Sequence, residues 1–242
     1  MSGPLAKGAL VRYLPTSPPT PLATLFQYNP ETMVHTWTQP QPVGKPGVES
    51  GNPQAVPGLP GESFQFTIFL DADDDVVSGV QALQQTAQQS GVGARLAALE
   101  MLLYPYPLPQ TQLPSGQVLL GTASAASASS GSSAAPTWNL PNSTLPVVLF
   151  YWNQNRIVPV RVTTLTITET LYDTDLNPTH AQAQLSLRVV TPIEFAAANP
   201  AVGTAAGLAV KFYERTLGTR TAWANSNAQN PIPASMSSNL TH

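Results

Sequence analysis

Asp71, Asp73, Asp74 and Asp75 form the only carboxylate cluster in the sequence, and oxygen ligands at that spacing are what a hard cation such as calcium requires. No glycine interrupts the run and no glutamate follows at the loop-closing distance, so the pattern is not an EF-hand. Placed before a weakly helical stretch, the same carboxylates suit the positive end of a helix dipole, and a solvated capping turn is their expected role. No metal and no other cofactor is expected. His35 and His180 stand alone on strand-like segments and His242 is the last residue; all three read as ordinary surface or packing side chains. Trp37, Trp138, Trp152 and Trp223 are spread too widely to make a sugar-binding platform. Nucleotide-loop, zinc-protease and nucleophile-elbow motifs are absent. A hydrolase using Asp71 to Asp75 or Glu169 would need two carboxylates held across a cleft. The residues give no such set, and the chain is not expected to be an enzyme.

Composition narrows the field further. The chain has 242 residues, ample for a real hydrophobic core, and only 10% are charged, so its surface must consist largely of Ser, Thr, Asn, Gln and Pro. A net charge of -3 without a basic cluster argues against a nucleic-acid binder. Zero cysteines remove disulfides, thiolate metal sites and cysteine nucleophiles together. No apolar run approaches the length of a membrane span, and the first ten residues lack the basic start and apolar core of a signal peptide. Synthesis and folding in the cytoplasm are expected.

The elements that must position these side chains are mostly strands. Pro146 to Val190 carries the densest strand signal: Val147 to Trp152 is β-branched and aromatic, Asn153 to Asn155 is a turn cluster, and Val158, Val160 and Val162 alternate after it. The alternation then changes phase, with Leu165 and Ile167 on the other parity, which predicts a β-bulge near Thr163. After the turn formers of Asp173 to Pro178, Ala181, Ala183, Leu185, Leu187 and Val189 alternate with Gln182, Gln184, Ser186 and Arg188, giving one dry face and one wet face. Arg156, Arg161, Glu169, Asp173 and Asp175 are candidates for polar contacts across this hairpin or between subunits.

Earlier in the chain, Ala9 to Leu14, Thr24 to Tyr28, Met33 to Trp37 and Ser63 to Leu70 read as strands, while the four prolines between Pro15 and Pro21 disfavour both helix and inner strand. In the last of these strands Phe64, Phe66, Ile68 and Leu70 share a face, and Phe69 predicts burial of the other side as well. Gln39 to Gly61 reads as a long surface loop. Val76 to Gln89 fits a weak helix; Ala94 to Tyr104 fits a strong one, with Leu96, Leu99 and Leu103 as its core stripe and Pro105 as its stop. Residues 107–146 form a low-complexity Ala/Ser insertion too polar to order itself. Pro192 to Ala198 and Ala205 to Leu217 are expected as short C-terminal helices, the second ending at Gly218, with a flexible tail from Asn225. The expected organisation is a domain over 1–190 containing the 107–146 insertion, a helical extension over 191–224, and a tail over 225–242.

Several strings, in order, resemble the tube proteins of contractile injection systems. They are Phe26-Gln-Tyr-Asn-Pro-Glu-Thr32 with Trp37, Leu96-Ala-Ala-Leu-Glu-Met-Leu-Leu-Tyr-Pro105, Pro146-Val-Val-Leu-Phe-Tyr-Trp152, and Arg156-Ile-Val-Pro-Val-Arg-Val-Thr163. Leu165-Thr-Ile-Thr-Glu-Thr170, Asp175-Leu-Asn-Pro178 and Ala183-Gln-Leu-Ser-Leu-Arg-Val189 continue the likeness, which spans roughly residues 7 to 190.

The resemblance implies a mainly β fold with one packed α-helix: a phage-tail-tube-like β-barrel or sandwich with long loop insertions, six copies of which form a ring around a lumen. The members it resembles most sit in the baseplate as tube initiators, with a spike or hub protein below, the inner tube protein above and other baseplate proteins around. On that reading Thr166, Thr168, Gln182, Gln184, Ser186 and Arg188 line the lumen. Such members often carry a peptidoglycan-binding LysM module after the tube domain; here an Ala-rich and Asn/Ser-rich stretch follows, so the resemblance does not carry cell-wall binding over to this chain. The repeating inner tube subunit is the neighbouring alternative, and a carbohydrate- or peptidoglycan-binding module is the alternative of a different class.

Overall fold

Alternating strands such as β4 and β7 belong to a seven-stranded sheet of order β2-β1-β5-β6-β7-β4-β3. The computed structural model describes residues 6–14, 16, 18–40, 56–105, 145–196 and 203–228. Its strands are β1 (Ala9–Leu14), β2 (Thr20–Leu25), β3 (Met33–Thr38), β4 (Gly61–Asp71), β5 (Val147–Asn153), β6 (Arg156–Tyr172) and β7 (Pro178–Val189). Its helices are α1 (Ala72–Val77), α2 (Gln81–Ser90), α3 (Gly93–Glu100), α4 (Pro192–Ala196) and α5 (Ala205–Ala228). The fold is mainly β, and the sheet mainly antiparallel: β1 pairs with β2 and β5, β3 with β4, and β5 with β6. Asn153 Oδ1 accepts the Asn155 amide at 2.9 Å and fixes the β5–β6 turn. Within the described residues β2 and β3 are the terminal strands. Pro21 lies inside β2, where a missing amide donor costs nothing on the unpaired side.

The chain divides into two compact units. The first comprises Met1–Phe69, Val147–Thr164 and Gln184–His242. Its core is aromatic: Phe26, Phe64, Phe66 and Phe150 are buried, and the Phe150 ring lies 5.2 Å from Phe64 and 5.5 Å from Phe66. Leu10, Val158, Leu185 and Leu187 are buried with them. Phe26 is brought in by backbone, its amide donating to Gly8 O at 2.9 Å. A Cβ at Gly8 would stand 2.7 Å from the Phe26 ring, so glycine is required there by close approach. Asn29 holds the same strand entry by accepting the Gly8 amide and donating to Ala6 O, both at 2.8 Å.

The second unit comprises Leu70–Pro146 and Leu165–Ala183. Three helices, α1, α2 and α3, stand in it where one was expected to pack. The weak helical stretch after Val76 is broken by Gly79 at φ 74° into α1 and α2. Leu96 and Leu99 are buried, but Leu103 is exposed and Leu102 is buried instead. The reason is that α3 ends at Glu100 and the next residues turn, so the helical stripe does not continue to 103. Phe69 departs in the same way. It is exposed, with the alternation of β4 kept intact through Leu70.

The C-terminal helices belong to the first unit. Helix α4 is short, whereas α5 has 24 residues, running through Gly218 and past Asn225 to Ala228. Gly218 does not stop it because buried Tyr213 and Thr216 precede the glycine and anchored Arg220 follows it. The 107–144 part of the insertion, most of the Gln39–Gly61 loop and the 229–242 tail lie largely outside the described residues.

Gly91 is the tightest point of the second unit. It has φ 55°, and a Cβ there would stand 2.1 Å from Pro178 O, which accepts the Val92 amide at 2.8 Å. Gly91→Ala is expected to cost about 1–3 kcal/mol in chemical unfolding. Gly58→Ala, with open space around its Cβ, is the matched control and should unfold like the parent.

Candidate functional site

The polar side of β7 is formed by the pleat. Ala181, Ala183, Leu185, Leu187 and Val189 are buried, Gln182, Gln184 and Arg188 are exposed, and Ser186 is half-buried. On β6, Val158, Val160 and Val162 are buried, after which Thr163 and Thr164 are both exposed and the inward parity passes to half-buried Leu165 and Ile167. Thr166 and Thr168 are exposed. In the first unit Thr163 Oγ1 donates to Ser186 O at 3.0 Å. The one cation of this set is neutralised: Arg188 Nη1 lies 2.7 Å from Glu194 Oε1 on α4. Burial raises the Glu194 pKa, but the Thr191 amide and Arg188 outweigh it and hold the carboxyl below its ordinary value. What remains is hydroxyl and amide.

Among the described residues, Arg156, Arg161, Glu169, Asp173 and Asp175 form no ion pair with one another within the chain. Glu169 accepts from the Tyr172 hydroxyl at 3.5 Å. Asp173 is a turn cap instead of an ion-pair partner. Its Oδ1 accepts the amides of Asp175 and Asn177 at 2.8 Å, and its Oδ2 accepts from Asn177 Nδ2 at 2.9 Å. The Asn177 side-chain bond, followed by the Asn177 amide, pulls the Asp173 pKa below its ordinary value.

Of two buried carboxylates, one was not picked out by type and spacing and the other was expected to be solvated. Glu62 on β4 is 3% exposed and accepts from Arg220 through both oxygens, at 2.5 Å and 2.9 Å. His35 Nε2 sits 2.8 Å from the same carboxylate, and the Arg220 guanidinium lies 4.8 Å from the Trp37 ring centre. Tyr213 is buried nearby, and desolvation, then the Glu62 charge, raise its pKa. The signal lay in the pleat: Glu62 shares parity with Phe64, Phe66, Ile68 and Leu70, so a carboxylate there had to be buried and paired. In the second unit Asp75, read as part of a solvated cluster, is buried and bonded to Arg95 by two bonds of 2.5 Å and 2.6 Å.

The rest of the aspartate run stands at the start of α1, with Asp73 and Asp74 in its first turn. Asp71 is its N-cap and accepts the Asp73 amide at 2.9 Å. His180, expected to stand alone, lies 3.2 Å from Asp71 Oδ2, and donor atoms of Asp71, Asp73 and His180 fall within 4.8 Å of one another. Capping and the His180 contact account for this grouping. Helix α5 supplies a different kind of polar anchor. Just past β7, Val190 N donates to Pro159 O at 2.9 Å, and two residues earlier on β6 the Ile157 carbonyl and amide are met by Thr216 Oγ1 at 2.8 Å and 3.2 Å. A helix side chain thus stands in for a strand. No described helix is long and apolar enough to cross a membrane.

No family model matches the chain, and no curated protein sequence matches it.

Arg220→Ala would leave Glu62 buried with His35 as its remaining partner, and is expected to cost about 3–5 kcal/mol in denaturant unfolding. Replacing the pair together, with Glu62→Leu and Arg220→Met, should recover most of that loss. The Asp173 turn should be pH-dependent. Its carboxyl is lowered from 3.8, so the stabilisation is complete above that ordinary value and is lost as pH falls through the depressed folded one. Amide exchange at Asp175 and Asn177 should accelerate over that acid range relative to Asp173→Asn, which has no carboxylate to titrate.

Proposed function

We propose that the chain is a structural subunit of a contractile, phage-tail-like injection system, forming a hexameric baseplate ring that joins the spike complex to the inner tube and lines the conduit. The observation that carries this reading is the pair of terminal strands. Within the described residues β2 and β3 each have one strand neighbour, both belong to the same compact unit, and both expose apolar side chains: Leu22 and Leu25 on one, Val34 and Trp37 on the other. Exposed apolar strand edges are a liability in a lone subunit and a joining surface in an assembly. Two different edges meeting head to tail make a heterologous contact, which closes into a ring when the rotation is right.

The conduit role follows from chemistry on β6 and β7. Thr166, Thr168 and Gln182 in the second unit, and Gln184 and Ser186 in the first with Arg188 neutralised by Glu194, are each weak hydrogen-bonding groups that would let cargo slide without capture. The work of such a ring is mechanical, requiring no catalytic residue or cofactor. Its partners are copies of itself, the spike or hub protein on one side and the inner tube protein on the other. The subunit would be made in the bacterial cytoplasm and assembled into the particle.

Quantitative mass spectrometry of purified particles tests this. Six copies per particle are expected. Hundreds would make the chain the repeating tube subunit, and absence from particles would contradict the proposal.

A further inference from the structure

The tip of the β6–β7 hairpin, within the second unit, holds the most exposed apolar side chains of that hairpin. Leu171 is 65% exposed, Tyr172 54% and Leu176 79%. Leu171 and Leu176 have φ 55° and 64°, the only positive φ values among the described non-glycine residues. Leucine in the left-handed region is strained, because its Cβ crowds the following carbonyl; glycine or asparagine would fold there with less cost. Neither leucine is buried, so the fold gains little from the side chains that impose the strain.

The tip is also rigid. Asp173 accepts three bonds across the turn, Asp173 N donates to Asn177 O at 3.0 Å, and Leu176 N donates to Asp173 O at 3.2 Å. At its base Asn177 Nδ2 reaches Gln89 O at 3.4 Å, and Pro178 O accepts the Val92 amide at 2.8 Å. An apolar group held this way loses little conformational freedom on docking. The Asp, Glu, Lys and Arg content of the hairpin has one sign: Glu169, Asp173 and Asp175 flank the three apolar residues in sequence, and no Lys or Arg occurs between Val162 and Leu187. Anionic lipid and nucleic acid would be repelled.

We infer that Leu171, Tyr172 and Leu176 form a preorganised docking knob that inserts into an apolar socket rimmed by Lys or Arg on a protein stacked against the ring. This rests on the ring reading proposed above and adds to it the contact residues and the chemistry of the partner.

The test uses the full chain in purified particles. Leu171→Gly and Leu176→Gly should leave the melting temperature unchanged or raised, since each relieves strain and removes no internal packing. The same variants should enter particles about tenfold less than the parent, and Tyr172→Ser should also lower entry at unchanged stability. A photo-crosslinking amino acid placed at Thr174 should join one non-self particle protein at a peptide carrying Lys or Arg beside apolar residues, and Asp175→Lys should weaken that crosslink. Entry at the parental level with no crosslink overturns the knob while leaving the ring intact. A fall in melting temperature that matches the loss of entry overturns it as well, because the leucines would then be serving the fold. Co-sedimentation with neutral or anionic phospholipid vesicles that is lost in Leu176→Gly would reassign the tip to a membrane and overturn it. Absence of the parent chain from particles would sink the ring reading and this partner together.

Discussion

Everything in this chain depends on the two-residue period of the strand. Side chains alternate across the pleat, so a one-residue shift would send a buried row into water. The rows of β4 and β7 keep one parity throughout, while Val148, Leu149 and Phe150 of β5 are buried on both faces. β6 changes parity: its inward row passes from Val158, Val160 and Val162 to Leu165 and Ile167. The change falls at Thr163 and Thr164, and the boundary between the two compact units falls between Thr164 and Leu165.

Buried charge follows from the same period. Glu62 occupies an inward position of β4, where an unpaired carboxylate would be costly, and Arg220 from α5 closes both of its oxygens. Thr216, one turn earlier on α5, meets the amide and carbonyl of Ile157. These anchors explain how a helix containing Gly218 runs its full length: attachment on either side of the glycine outweighs a local preference of about 1 kcal/mol. Asp75 and Arg95 repeat the arrangement in the second unit.

Strands were legible from the sequence because alternation is a direct physical record of burial. β1, β5 and β7 begin and end within a few residues of where pattern and turn chemistry put them, and Pro21 ended in a terminal strand, as a missing donor demands. What the sequence left obscure has specific causes. Leu103 continues a helical stripe on paper, but α3 ends three residues earlier. Phe69 is apolar on the solvent side of β4 and stays exposed, since type does not override parity. Gly218 and Asn225 signal a helix end, yet tertiary anchors carry the helix beyond both. Glu62 was legible and overlooked, because its meaning lies in its phase with Phe64 and Phe66 and in no motif. The grouping of His180 with Asp71 brings together residues far apart in sequence, which no local pattern records.

The functional account turns on whether β2 and β3 of neighbouring copies meet. Because the chain has no cysteine, engineered pairs report without background. A panel of cysteines along the two edges, with Ala23→Cys on β2 and Thr36→Cys on β3 among them, should crosslink under oxidation in purified particles to a ladder that ends at six chains. Crosslinks that run on beyond six chains, or cysteines that remain free in particles containing the chain, would contradict the ring.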